Sequence, residues 1–385
     1  MATSTPAIAL ERLSKRFRVN KREPGLRATL RALFRREWIE VEAVRELSFE
    51  IQAGERVGFL GPNGAGKTTT LKLLAGLLHP SGGKAEVLGF DPATRRPEFL
   101  TRIALVMGQK RQLSWDLPAL DTFELNRVIF EIPRVDYQRR LAQMIEMLQI
   151  GVVVRKPVRT LSLGERMKCE LVAALLHGPE VLFLDEPTIG MDVSMQLAIR
   201  EFVRDYHREY GATLILTSHY MEDVAALCDR ILVIDEGRLR FDGSIAELVR
   251  RIRPLRRVAI RLPGSLDPVA KLELEAIGEL AASQPPRVAL DIAPDRVPEA
   301  VERLLALPGA RDLEVHDAPL EEVMRELFAR HGAGEAGGTG EPGGAGGAGG
   351  AGDGLVRGVG EPEATGGERG GDGGERGGDG ECSRS

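Results

Sequence analysis

Five short stretches are apolar almost without interruption: Val57-Gly58-Phe59-Leu60, Ile103-Ala104-Leu105-Val106-Met107, Val181-Leu182-Phe183-Leu184, Thr213-Leu214-Ile215-Leu216 and Ile231-Leu232-Val233-Ile234. A strand with one wet face alternates, whereas a strand covered on both sides does not, so such runs are expected at the centre of a parallel sheet. Alternation is found instead at Val44 to Ile51, and Ile8 to Val19 and Lys84 to Gly89 also read as extended. Between the second and third runs, residues 110–178 turn to the helical period, most clearly over Asp121 to Phe130 and Asp136 to Leu148. Strands alternating with helices predict an α/β domain over residues 1–251, with 110–178 as a helical insertion.

A helix over Ser244 to Arg251 closes that domain, and Ile252 to Arg256, with Pro254, reads as a linker. The next 75 residues, 257–331, predict a small α+β domain with its own modest core. Its expected elements are strands at Val258 to Leu262, Val288 to Ile292 and Leu313 to His316, and helices at Pro268 to Leu280, Pro298 to Leu307 and Pro319 to Arg330. The last helix carries Leu320, Val323, Met324, Leu327 and Phe328 on one stripe. From Gly332 to Ser385 glycine, alanine and acids take over, and ERGGDGG at Glu368 nearly repeats at Glu375. Too little apolar surface is available there to offset the entropy of ordering, so 332–385 is expected to be a disordered tail.

One amphipathic pattern lies outside this plan. Leu26, Leu30, Leu33 and Phe34 share a face while Arg27, Arg31 and Arg35 fall on another, and the segment ends in Arg36-Glu37-Trp38. A basic helix of this kind either meets anionic lipid or a membrane partner, or packs on its own domain with the arginines in water.

Charge and cysteines narrow the function classes. The tail holds ten acids against four arginines, so the formal net charge of −5 leaves the remainder nearly neutral, with no field suited to nucleic acid. Cys169, Cys228 and Cys382 match no metal spacing, which fits a reducing compartment. No run approaches the roughly 18 apolar residues of a membrane span, and the N-terminus lacks a signal-peptide layout. The chain is therefore expected in the cytoplasm.

The first apolar run leads into Gly61-Pro62-Asn63-Gly64-Ala65-Gly66-Lys67-Thr68-Thr69, and a helical pattern follows. Strand, glycine-rich loop, lysine, hydroxyl and helix in that order make a phosphate-binding P-loop. The glycines let successive N–H groups face phosphate oxygens, and the helix presents its positive end to the same anion. Lys67 is expected on the β and γ phosphates and the Thr68 hydroxyl on Mg²⁺. The third and fourth apolar runs end in Asp185-Glu186-Pro187-Thr188 and Thr217-Ser218-His219, at the strand ends where parallel sheets bind ligands.

A second phosphate-facing motif is Leu161-Ser162-Leu163-Gly164-Glu165-Arg166, 23 residues before Asp185. Ser162 and Glu165 have the spacing of a capping box, so a helix N-terminus is expected there, with Gly164 permitting close approach of phosphate. This LSLGER stretch resembles the LSGGQ signature of ABC-transporter ATPases, from which Leu163 and Glu165 depart. Together with Gly108-Gln109-Lys110-Arg111-Gln112-Leu113 and Trp115-Asp116-Leu117-Pro118 it is similar to the bacterial ABC-2-type exporters, over about residues 7–250.

That resemblance implies a P-loop NTPase domain of the ABC ATPase type and a set of roles. Gln109 would sense Mg²⁺, Asp185 would hold it through water, Glu186 would polarise the attacking water and His219 would contact the γ-phosphate. Asp192 would span a dimer seam. Phe17 would stack on adenine or serve as a core residue. The implied protein binds ATP and Mg²⁺, hydrolyses ATP as a homodimer or heterodimer, and attaches peripherally to integral membrane permease subunits on the cytoplasmic face. The other reading is a soluble ABC ATPase of translation or DNA maintenance, which usually carries two cassettes or a coiled-coil insertion.

Overall fold

The computed structural model describes residues 5–20, 38–108, 112–262, 274–284 and 286–335. The basic segment before Trp38, Gln109 and the tail from residue 336 lie outside the described residues. The strands are β1 (Ile8–Asn20), β2 (Trp38–Ile51), β3 (Arg56–Leu60), β4 (Gly82–Val87), β5 (Ile103–Met107), β6 (Val181–Asp185), β7 (Thr213–Thr217), β8 (Arg230–Asp235) and β9 (Arg238–Ser244), followed by β10 (Arg256–Arg261), β11 (Glu279–Gln284), β12 (Arg287–Ile292) and β13 (Arg311–Asp317). The longer helices are α1 (Lys67–Leu74), α2 (Ala119–Ile129), α3 (Arg134–Leu148), α4 (Leu163–Leu175), α5 (Val193–Tyr210), α6 (Met221–Leu227), α7 (Ile245–Ile252), α8 (Val297–Leu305) and α9 (Leu320–Glu335).

The central sheet has the order β5-β6-β7-β3-β8-β9, parallel from β5 to β8 and antiparallel at its last edge. Its strands read as continuous apolar runs because successive side chains enter two different cores. Leu182, Leu184, Leu214, Leu216, Ile231 and Val233 pack with the helical insertion, α4 and α5. Val181, Phe183, Ile215, Leu232 and Ile234 face the other way, onto α1 and a three-stranded sheet of order β2-β1-β4. Parallel strands place all their C-terminal ends on one side, which is where Leu60 leads into the glycine loop and where Asp185 and Thr217 sit.

The long β1–β2 hairpin extends further than the alternation of Val44 to Ile51 indicates. Its pairing runs from Ile8↔Ile51 to Asn20↔Trp38, so Trp38, expected at the end of a helix, is the first residue of a strand. Ladder pairs Arg16–Glu42 and Arg18–Glu40 on one face of this arm, with Phe17–Val41 and Val19–Ile39 on the other, extend the register.

Beyond α7 a four-stranded antiparallel sheet of order β11-β12-β10-β13 encloses a core that includes Val258, Ile260, Val288, Leu290, Ala300 and Leu304. The helix expected over Pro268 to Leu280 ends earlier, because Glu279 and Leu280 already pair with β12. The last helix differs more. Val323, Met324 and Leu327 of α9 join the core that contains Leu248, Val249 and Ile252 of α7, so its stripe packs on the first domain. The helix also runs past Arg330 to Glu335, into residues expected in the tail; propagation adds one hydrogen bond per residue without a new nucleus, which offsets the entropy of Gly332 and Gly334.

A charged cluster holds α9 to the small sheet. Arg257, buried on β10, donates to Asp291 at 2.8 and 3.0 Å and to Glu322 at 2.7 Å, and Arg253 donates to both acids. The hydrogen bonds that it donates to Glu322, first, and to Asp291 hold the Arg257 guanidinium above its usual range, and Arg257 holds the Glu322 carboxyl below its own. Breaking such a cluster from one side leaves a buried charge uncompensated.

Candidate functional site

The glycine loop is shaped by backbone demands. Gly66 caps α1 at φ 103°, and a Cβ there would lie 2.3 Å from the Ala43 carbonyl oxygen, so only glycine fits both the left-handed conformation and the space. The Gly237 N–H, in the turn after β8, donates to the Ala65 carbonyl at 3.0 Å and pins the loop from outside.

Lys67 opens α1 and is buried. Its ammonium donates to the loop's own carbonyls, Gly61 O at 2.6 Å and Pro62 O at 3.1 Å. Burial pushes its pKa down, while the Glu186 and Asp185 carboxylates oppose that shift. The next residue supplies the link to the sheet: Thr68 Oγ1 donates to both oxygens of Asp185, at 3.1 and 2.9 Å, and Thr217 Oγ1 donates to Asp185 Oδ1 at 2.7 Å. Two hydroxyls and a carboxylate thus converge between the helix and the ends of β6 and β7. An all-oxygen set of one carboxylate and hydroxyls fits magnesium, which takes few protein ligands and completes its shell with phosphates and water.

Glu186 follows at φ 54°, a left-handed conformation that costs a non-glycine residue about 1–2 kcal/mol. Its N–H is held by Thr217, through the carbonyl at 3.0 Å and the hydroxyl at 3.1 Å, and this turn aims the carboxylate along the strand ends. There Glu186 Oε1 lies 2.8 Å from His219 Nε2; the Glu186 side chain is 19% exposed and that of His219 40%. A carboxylate paired with an imidazole, both partly open to solvent, can accept a proton from water. Lys67, Thr68, Asp185, Glu186 and His219 therefore converge on one site.

The remaining expected site residues do not converge with them in the same way. Ser162 caps α4: Glu165 N–H donates to Ser162 Oγ at 3.2 Å, and Ser162 N–H donates to Glu165 Oε2 at 2.9 Å. These bonds hold the Glu165 carboxyl below its usual range. The remaining free N–H groups at the start of this 13-residue helix leave a positive end, of the kind that favours anions. Gly164 is buried, and a Cβ there would lie 2.4 Å from Met195 Cγ, so the absence of a side chain lets α4 pack against the start of α5. Asp192 caps α5, accepting from Met195 N–H at 3.0 Å and Ser194 Oγ at 2.8 Å; these two bonds, the backbone one first, hold its carboxyl low. Phe17 is half-buried on β1 with the Lys15 ammonium 5.2 Å from its ring centroid.

Two further residues hold the site together through partners distant in the chain. Thr217 bonds both Asp185 and Glu186, a role that its position at a strand end hinted at. Glu170, buried on α4, accepts the backbone N–H of Gln112 on both its oxygens, at 3.1 and 3.0 Å, which ties α4 to the segment after β5. Its place among apolar helix residues gave no signal of that.

A family model described as ABC transporter matches residues 44–189. The chain is 35% identical over 208 residues to the ABC transporter ATP-binding protein NatA of Bacillus subtilis (strain 168), covering 54% of this chain and 84% of that protein. It is 30% identical over 300 residues to the linearmycin resistance ATP-binding protein LnrL of the same organism, covering 74% of this chain and 94% of that protein. Among solved structures it is similar, with a TM-score of 0.51 and 21% identity, to a dimeric ATP-binding cassette in a post-hydrolysis state bound to ADP and Pi, over 62% of this chain and 98% of that one. At that identity the likeness speaks for the fold, a P-loop cassette.

Proposed function

The chain belongs to the ABC transporter ATP-binding family, and from that premise we propose that it is the ATP-hydrolysing subunit of an ABC-2-type exporter. In this reading it binds ATP, works as a dimer and sits on the cytoplasmic face of a separate membrane permease. The observation that carries the reading is the Glu186–His219 pair at 2.8 Å, beside an Asp185 already gripped by the P-loop threonine. The resistance function in the name of LnrL supports export as the direction of transport. No helix among the described residues is long and apolar enough to cross a membrane, so the pathway itself would belong to the permease.

The chemistry follows from the residues. Lys67 turns from its loop carbonyls to the β and γ phosphates, and Thr68 with Asp185 would hold magnesium, which would supply positive charge against that developing on the phosphates. Glu186 accepts the proton of the attacking water, and the single N–H of a neutral His219, which rests on Glu186, turns to the γ-phosphate when nucleotide binds. Ser162 presents the N-terminus of α4 to the triphosphate of a second copy, with Gly164 in the same first turn packed on Met195 of α5, closing a site that the glycine loop alone leaves open on one side. Phe17 offers the adenine ring an aromatic face on the hairpin arm, and Gln109 lies in the segment between β5 and the helical insertion.

Purification from native membranes in mild detergent tests the partner. A polytopic membrane protein should co-purify in near-constant ratio; ribosomal subunits or DNA in its place would favour the non-transport ATPase.

A further inference from the structure

Behind the Glu186–His219 pair lies a buried polar cluster that the hydrolysis chemistry above does not use. Asp223, in the first turn of α6, is 1% exposed. Its Oδ2 accepts the hydroxyls of Thr188 and of Ser218, the latter at 2.9 Å, and its Oδ1 accepts from Arg200 Nε. Arg200 is buried on α5 and reaches outward to Glu222 at 3.2 Å.

Each donor comes from a different segment of the site. Thr188 lies two residues after Glu186, and Ser218 immediately precedes His219. Arg200 belongs to the helix that Asp192 caps. Ser218 Oγ also accepts the Tyr220 N–H at 3.0 Å, so both neighbours of His219 are fixed. Two hydroxyl protons directed at one oxygen need an acceptor without a competing donor, which a carboxylate is and an amide of the same shape is at one end only. A buried guanidinium in turn needs a counter-charge. The side chain that meets both requirements is an aspartate or glutamate, and it sits where the two loops and α5 meet.

We propose that Asp223 is a positioning residue for hydrolysis: braced by Arg200, it sets the separation of Glu186 and His219 and ties that separation to α5. This rests on the ATPase reading of the site. Asp223 is buried, with both oxygens taken by Thr188, Ser218 and Arg200, so it acts through the two loops and its loss should slow turnover without weakening ATP binding.

The test compares Asp223→Asn and the near-isosteric Thr188→Val with the wild type, reading turnover of Mg-ATP, binding of a fluorescent ATP analogue and thermal melting. Because misplacing reacting groups by about 1 Å costs on the order of 100-fold, Asp223→Asn should lower kcat by about that factor and Thr188→Val by about 10-fold, with KM for ATP within about twofold. A folded Asp223→Asn protein with wild-type kcat, or with kcat and ATP binding falling together, overturns the proposal. Should Asp223→Asn fail to fold, Thr188→Val decides, and wild-type kcat there overturns it equally. A wild-type protein that hydrolyses no ATP would remove the ATPase reading itself, and this inference with it.

Discussion

Glu186→Gln is expected to bind ATP as the wild type does and to hydrolyse it at least about 100-fold more slowly, the usual contribution of a positioned base. The amide keeps the size of the side chain and leaves an oxygen toward His219, now 2.8 Å from the carboxylate. It cannot take a proton from water. Lys67 loses one of the two carboxylates that oppose its burial shift but keeps its loop carbonyls, and the bond from Thr68 to Asp185 is unchanged. Single-turnover hydrolysis beside equilibrium binding separates the two effects; normal turnover would show that the proton goes elsewhere.

A chain ended before Ala318 is expected to lose the fold of its ATP-binding domain, whereas one ended after Ala336 should melt and turn over as the full chain does. Ala318, Leu320, Val323, Met324 and Leu327 are all buried in the core shared with α4, α5 and α7. The large side chains among them are each worth roughly 1.5–3 kcal/mol on burial. Their sum is comparable with the whole stability of a domain, about 5–15 kcal/mol. Losing Glu322 also leaves Arg257 buried with Asp291 as its remaining partner in that cluster. Thermal melting of the two truncations checks this; a protein without α9 that melts within a few degrees of the full chain would refute it.

The central sheet was legible because burial on both faces removes alternation, and the P-loop because phosphate binding restricts residue types at fixed spacing. The Ser162–Glu165 capping box was legible for the same reason: its geometry is local. What was hidden depends on distant partners. The stripe of α9 announces a buried face but not which core receives it, and the apolar residues of α7 that do so lie some seventy positions earlier. Trp38 reads as the end of a basic helical pattern until β1 provides its pairing partner, Asn20. Glu222-Asp223 looks like the solvated acidic first turn of a helix, and Glu222 is one; Asp223 is distinguished only by Arg200, Thr188 and Ser218 arriving from three other segments. Gln109 lies outside the described residues.

In the proposed dimer the α4 N-terminus of each copy completes the site of the other, with one surface of each protomer meeting the same surface of its partner. Light-scattering mass of Glu186→Gln, with ATP or ADP and with Ser162→Arg added, reads this directly. The expected result is a doubled mass with ATP, a single protomer with ADP, and no doubling in the Ser162→Arg protein although ATP still binds. A protein that stays a single protomer with ATP bound, while the wild type hydrolyses ATP at the same concentration, would contradict it.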